Sequence, residues 1–192
     1  MRCAEVKRET KETKITLSLN LDGGEVFVQT GIGFFDHMLT AFALHGGFGL
    51  KARVRGDLEV DAHHTVEDTG IVLGKALHQA LGDKTGIARY GSFFVPMDEA
   101  LAFAALDISG RPFLVFDAEF NEPKIGEYDS CLTGEFFRAL AFNAGITLHV
   151  KDIGGKNAHH QTEALYKAVA HALKAAVKRE GEAALSTKGV ID

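Results

Sequence analysis

The sequence predicts an α+β fold made of an internally duplicated half, with sheets that helices cover on one face. One observation is a repeated segment. Two adjacent histidines and a following glutamate occur at 61–67 and again, half of the 192-residue chain later, at 157–163. A second observation is that strand and helix patterns follow the same order in both halves. Because such a repeat is one structural unit, we expect halves at residues 1–91 and 92–192.

The first half is predicted to run strand, strand, helix, strand, helix. Residues 14–21 alternate polar and apolar, as in a half-buried strand. After an Asp-Gly-Gly turn, residues 25–29 are expected to complete a hairpin. Residues 34–44 are apolar at helical spacing and end before two glycines. Residues 50–55 alternate again, and the first histidine pair opens a helix that ends near Gly82.

The second half repeats that order. Residues 101–108 form its first predicted strand, and residues 113–117 are expected to return beside it after a Ser-Gly-Arg-Pro turn. A helix is predicted at 135–143 and a strand at 146–151. The second histidine pair then opens a helix that runs toward Glu180.

Each histidine pair suits metal binding across two helices. Residues four apart share a helix stripe, so the first histidine and the glutamate point together, while the second histidine is turned about 100° aside. The stripe pairs are His63 with Glu67 and His159 with Glu163, and the off-stripe histidines are His64 and His160. Two facing helices could build two sites, each with one stripe pair and the off-stripe histidine of the other helix. Asp61 and Asn157 are the predicted caps of these helices. The alternative to metal binding is a duplicated structural cap.

Alignment of the two halves adds one ligand to each site. His37 falls over Glu135, each near the start of the helix that precedes its strand. Three nitrogen or oxygen ligands leave positions open on an octahedral ion, so these residues are predicted as fourth ligands. For Glu135 taken alone, the alternative is a solvated helix glutamate.

Composition and charge restrict the partners. The net charge of −5 argues against nucleic acid and an anionic membrane, although a few local cations could bind a small phosphate ester. Cys3 and Cys131 provide no disulfide framework and fit a reducing compartment. The first residues lack the apolar core of a signal peptide, and no run of about 18 apolar residues predicts a membrane span. We therefore expect a cytoplasmic protein.

The sequence resembles the imidazoleglycerol-phosphate dehydratase family in segments that span nearly the whole chain, in order. The segments are RETKET at 8–13, TGIGFFDHML at 30–39, DAHHTVED at 61–68, PMDEA at 96–100, DISGRP at 107–112, NAHH at 157–160 and STKG at 186–189. The two histidine pairs together make the resemblance highly specific.

The resemblance implies a dimanganese dehydratase of histidine biosynthesis, a carbon–oxygen lyase. Its reaction removes water from imidazole glycerol phosphate and gives imidazole acetol phosphate. The implied fold is a duplicated half related to the second domain of ribosomal protein S5. The implied assembly is a homo-oligomer of twenty-four subunits built from trimers.

By resemblance, two Mn²⁺ ions are held in each active site, each by four side chains. The residues expected at the first ion are His37, His64, His159 and Glu163. Those expected at the second ion are His63, Glu67, His160 and Glu135. Many members of the family have histidine at the last position, and a carboxylate still suits Mn²⁺, which accepts oxygen donors readily.

The resemblance also implies the groups that handle the substrate. Glu12 is expected to be the acid/base group. The expected substrate contacts, several of them phosphate-binding cations, are His45, Arg89, Arg111, Lys167, Ser186 and Lys188. Without the resemblance, Glu12 would be an exposed strand-edge glutamate and the cations would be solvated surface charges.

Two other functions stay open from the residues alone. Paired metal ions also serve hydrolases that cleave phosphoesters, and such an enzyme would release inorganic phosphate. A non-catalytic metal-storage shell would hold many irons per subunit rather than two tightly bound ions. The expected phosphate contacts and Glu12 argue against storage, because a store needs no substrate cradle.

Overall fold

The computed structural model describes residues 2–189 and 191, which form two four-stranded sheets, four helices and one small hairpin. The first half contains β1 (Cys3–Glu9), β2 (Thr13–Asn20), β3 (Val26–Gln29), α1 (Gly33–Gly46), β4 (Gly49–Gly56) and α2 (His63–Leu81). The second half contains β5 (Tyr90–Met97), β6 (Ala100–Asp107), β7 (Phe113–Asp117), β8 (Lys124–Ile125), β9 (Tyr128–Asp129), α3 (Leu132–Ala144), β10 (Thr147–Gly154) and α4 (Ala158–Ala176). The predicted α+β fold is confirmed, and the exact boundary at 91/92 stays a prediction.

The two large sheets have the same strand order, β1-β2-β4-β3 and β5-β6-β10-β7. The last strand of each order lies parallel to its neighbour, so that Val26 pairs with Leu50 and Phe113 pairs with Thr147. The two predicted hairpins are therefore wrong, although residues 25–29 and 113–117 do contain strands. Alternation identifies a strand without identifying its partner, and helices α1 and α3 provide the crossovers that parallel pairs require.

Each half also begins with an edge strand that the alternation pattern does not reveal. In β1, Ala4, Val6 and Arg8 are the partly buried residues, and the charged Arg8 interrupts the apolar face. In β5, a proline at position 96 and two adjacent phenylalanines obscure the period of two. Edge strands tolerate charge and proline because one side of the strand makes no ladder hydrogen bonds.

The helices lie between the inner faces of the two sheets. Ile15 and Leu17 of β2 and Ala102 and Ala104 of β6 are fully buried against them. Helix α2 packs on β1 and β2, and α4 packs on β5 and β6. The helices also pair across the halves, α2 with α3 and α1 with α4. None of the described helices is apolar over enough length to cross a bilayer.

Two glycines on α2 allow its close approach to α3. A Cβ atom on Gly70 would lie 2.8 Å from the Phe136 carbonyl oxygen. A Cβ atom on Gly74 would lie 2.7 Å from both the Leu140 carbonyl oxygen and the Asn143 Cβ atom. These neighbours are largely backbone of a second helix and cannot turn aside. The two helices can therefore sit this close only without side chains at these positions.

We expect Gly74→Ala to destabilise the protein by about 1–3 kcal/mol, because the new methyl group overpacks the α2–α3 contact. On an open helix surface the same change would stabilise by up to about 1 kcal/mol. Gly33→Ala is the matched control, since no atom lies within 4 Å of its added Cβ. Chemical denaturation of both variants measures the difference, and equal stabilities would contradict the close approach.

Candidate functional site

The pairing of α1 with α4 brings three potential metal ligands together. Glu163 Oε2 lies 3.1 Å from His37 Nε2 and 3.0 Å from His159 Nε2. One ligand atom from each of the three residues lies within 4.8 Å of the others. In the described part of the chain, this is the only such group of three or more histidine, cysteine or carboxylate residues. We call it the first ligand group.

Local sequence fixes the orientation of this group. The Asn157 side chain caps α4 and accepts hydrogen bonds from the backbone N–H groups of His159 (2.9 Å) and His160 (3.2 Å). This confirms the predicted cap, and the spacing of four then brings His159 beside Glu163. Phe34 packs edge-on against the His159 ring, with 4.9 Å between centroids. At the start of α2, the Asp61 side chain accepts a hydrogen bond from the backbone N–H of His63 (2.7 Å). The N-cap position is occupied by Ala62, so the predicted Asp61 cap lies one residue too early.

Glu163 is a buried carboxylate that stays charged. Burial alone would raise its pKa, but hydrogen bonds from Lys167 and His37, the charge of Lys167 and a bond from His159 lower that pKa to about 2. The Lys167 Nζ atom lies 2.7 Å from Glu163 Oε1. The group therefore combines a fixed negative charge with two imidazoles, a donor set that suits a divalent transition ion.

The pairing of α2 with α3 places a second set at the equivalent position. His63 Nε2 lies 3.7 Å from Glu67 Oε2. Arg138 of α3 donates to Glu67 Oε1 (3.3 Å) and to Glu135 Oε2 (3.2 Å). Arg138 thus balances the charge of two carboxylates, whereas the first ligand group contains only one carboxylate.

The off-stripe histidines lie with carboxylates of their own and not in the first ligand group. His64 Nδ1 contacts Asp57 at 3.0 Å, and His160 Nδ1 contacts Glu99 at 2.8 Å. These hydrogen bonds raise the pKa of each histidine. The hydrogen bond from His160, followed by two backbone N–H groups, lowers the pKa of Glu99 to about 2.

Each off-stripe histidine therefore has its Nδ1 fixed and its Nε2 directed elsewhere. His64 Nε2 lies 3.8 Å from Glu12 Oε1, and His160 Nε2 lies 3.7 Å from Asp98 Oδ2. A carboxylate on one ring nitrogen is the usual support of a histidine that ligates metal through the other. Sequence reasoning missed Asp57, although a carboxylate shortly before a histidine pair is a readable signal.

Four of the predicted substrate contacts line one cavity of about 680 Å³. They are Arg89, Arg111, Ser186 and Lys188. Asp107 holds Arg89 through hydrogen bonds of 2.7 and 3.1 Å, and Arg89 donates to the Leu185 carbonyl oxygen at 2.6 Å. Arg89 therefore fixes the segment that carries the serine and the lysine. Three cationic side chains in one lining suit an anion, and we call this space the anion cavity.

The other two predicted substrate contacts, Lys167 and His45, lie outside this cavity, on the two helices that carry the first ligand group. Lys167 follows Glu163 on the α4 stripe, and His45 lies in the last turn of α1. His45 Nδ1 lies 3.1 Å from His171 Nε2. Burial, followed by nearby positive charge, lowers the pKa of His45, and burial also lowers that of His171. His171, which is not among the predicted site residues, is thus the hydrogen-bond partner of a predicted substrate contact.

Comparison with known proteins gives a consistent result. A family model described as imidazoleglycerol-phosphate dehydratase matches residues 30–173. An imidazoleglycerol-phosphate dehydratase of Acetivibrio thermocellus is 60% identical over 190 residues, which is 97% of each chain. The one from Streptococcus mutans is 59% identical over 194 aligned positions and covers 100% of both chains.

Solved structures agree with the sequence comparison. The crystal structure of imidazoleglycerol-phosphate dehydratase from Staphylococcus aureus superposes with a TM-score of 0.85 at 40% identity, covering 92% of this chain and 99% of that one. The enzyme from Pyrococcus furiosus, in complex with (S)-C348, gives a TM-score of 0.85 at 37% identity, covering 96% and 99%.

We expect Arg111→Gln to weaken the binding of inorganic phosphate about tenfold or more, because it removes one charged donor from the cavity. Lys151→Gln changes the net charge equally but lies in a surface pair with Asp117, so it is the control. Isothermal titration with phosphate measures both variants. Equal affinities would show that overall charge, and not the cavity, attracts the anion.

Proposed function

The chain belongs to the imidazoleglycerol-phosphate dehydratase family and has that function, a step of histidine biosynthesis, and we propose that it acts with two divalent metal ions held between copies of the chain. The observation that carries the proposal is the first ligand group. It offers two imidazoles and a charged carboxylate within 4.8 Å, but only three of the four expected ligands.

We infer that a second copy supplies the missing ligands. His64 is expected to complete the first ligand group of another copy, and His160 is expected to complete the set of His63, Glu67 and Glu135. Both histidines have Nδ1 fixed by a carboxylate, which leaves Nε2 as the donor atom. This arrangement supports a homo-oligomer, and the family resemblance favours twenty-four subunits built from trimers.

Nitrogen and oxygen donors without cysteine suit Mn²⁺, although the same donors would bind later transition ions more tightly. When bound, the ions would orient the imidazole ring of the substrate and stabilise negative charge that develops on it. The unpaired thiols of Cys3 and Cys131 fit a cytoplasmic enzyme.

Glu12 supports the dehydration as the acid/base group. It lies on the turn between β1 and β2, half-exposed and 3.8 Å from the Nε2 atom of a proposed metal ligand, His64. In the reaction, its carboxylate accepts the proton of the carbon that bears the second hydroxyl. That proton leaves with the departing hydroxyl of the ring-bearing carbon as water, and the resulting enol becomes the ketone.

The anion cavity supports binding of the substrate phosphate. Arg111 and Lys188 offer charge, and Arg89 is held rigid by Asp107. A phosphate fixed at one end of the substrate restricts where the carbon chain and the ring can lie. Binding there therefore orients the reacting carbons instead of only increasing affinity.

The decisive experiment supplies imidazole glycerol phosphate and Mn²⁺ to the purified protein and identifies the products. We expect imidazole acetol phosphate, with the phosphate ester intact. We expect Glu12→Gln to lower kcat by about 10²–10⁴-fold while metal content stays unchanged. We expect His64→Ala to lose bound metal as well as activity. Inorganic phosphate as the product would instead identify a phosphoester hydrolase, and full activity of His64→Ala would contradict the metal assignment.

The carboxylate that fixes His64 gives a separate prediction about metal affinity. We expect Asp57→Asn to weaken Mn²⁺ binding by about 10–100-fold, because the imidazole loses the support that orients it and increases its basicity. Glu59→Gln removes one charge from the same loop without touching a histidine. Titration followed by electron paramagnetic resonance measures free Mn²⁺ directly, and equal weakening by both variants would reduce the effect to local charge.

A further inference from the structure

The turn that carries Glu12 is attached to helix α2 through a buried carboxylate. Asp68 lies on α2 and is 5% exposed. Its Oδ1 atom accepts a hydrogen bond from Arg8 Nη2 at 2.8 Å, and its Oδ2 atom accepts one from the Thr13 hydroxyl. Arg8 lies at the end of β1 and Thr13 at the start of β2. Asp68 therefore holds both strands at the base of the turn.

The turn itself is tightened by a second set of hydrogen bonds. The Thr10 hydroxyl accepts from the backbone N–H groups of Glu12 (3.1 Å) and Thr13 (3.0 Å). The Thr10 N–H donates to the Thr13 carbonyl oxygen at 2.8 Å. With the turn tightened and its base bound to α2, the Glu12 backbone is held at a fixed place relative to His64 in the first turn of the same helix.

The duplicated half shows that the fold does not need this carboxylate. The repeat aligns His63 with His159 and Glu67 with Glu163, so Asp68 corresponds to Ala164. Ala164 is fully buried in a helix that packs on its sheet in the same way. A buried ion pair contributes little net stability compared with apolar packing. The charge therefore occurs only in the half whose turn carries the proposed acid/base group.

We propose that Asp68 is a positioning residue for Glu12: the buried contacts of Asp68 with Arg8 and Thr13 fix the β1–β2 turn so that the Glu12 carboxylate stands beside His64. Asp68 does not touch the substrate. This inference rests on the proposed role of Glu12.

The test compares Asp68→Asn with Asp22→Asn in the holoenzyme. Asp22 pairs with Arg2 at 2.6 Å just before β1 begins, so its variant breaks a more exposed arginine–aspartate pair at the end of the strand away from the turn. We expect Asp68→Asn to lower kcat about 100-fold, as small misplacements of a reacting group do. KM should change less than about threefold, and metal content should stay at the wild-type level. Asp22→Asn should keep kcat within about twofold of the wild type.

A double variant separates positioning from general damage. If Asp68 acts through Glu12, the double variant Glu12→Gln/Asp68→Asn will have the kcat of Glu12→Gln within about twofold. The inference is overturned if the two losses multiply, or if Asp68→Asn alone retains wild-type kcat. If Asp68→Asn does not fold, Thr13→Val serves instead, with about a tenfold loss of kcat expected by the same route. Full activity of Glu12→Gln would overturn the proposed acid/base role itself.

Discussion

The candidate site depends on helices that pair across the two halves of the chain. Helix α4 packs on α1, and α2 packs on α3. The helix that carries each histidine pair therefore contacts the first helix of the opposite half. His37 and Glu163 are far apart in sequence and approach to 3.1 Å only through this pairing. On α2, glycines 70 and 74 bring the helices close enough for Glu67 and Glu135 to share Arg138. Packing between the halves thus determines the geometry of the candidate site.

The duplicated halves contain two sets of proposed ligands that are alike in position and different in charge. The first set has one carboxylate, Glu163, which is buried and balanced by Lys167 on the same helix. The second has two carboxylates that Arg138 balances from a neighbouring helix. The off-stripe histidines are fixed by Asp57 in one half and by Glu99 in the other, from different loops. Unrelated loop contacts therefore fix the two histidines at equivalent positions of the halves.

The sequence predicted what depends on periodicity and repetition. The spacing of four places His159 beside Glu163, and the duplicated segment identifies both helices and the Asn157 cap. Strand pairing was not predictable in the same way, because a short apolar run such as residues 25–29 is equally compatible with a hairpin and with a parallel edge strand. The partners of His64 and His160 were missed for different reasons. Asp57 lies only seven residues before His64 and could have been found in the sequence, whereas Glu99 is 61 residues from His160 and no local pattern encodes that contact.

The exchange of helix contacts between the halves also bears on how such a chain could arise. A single half with strands equivalent to β1–β4 would expose the helix faces that here pack on the other half. Two identical copies could cover those faces by forming a symmetric dimer, because α1–α4 and α2–α3 are equivalent contacts. Gene fusion would then convert association into an intramolecular event with a high effective concentration. Once covalently joined, the two copies could diverge, as Asp68 and Ala164 have done.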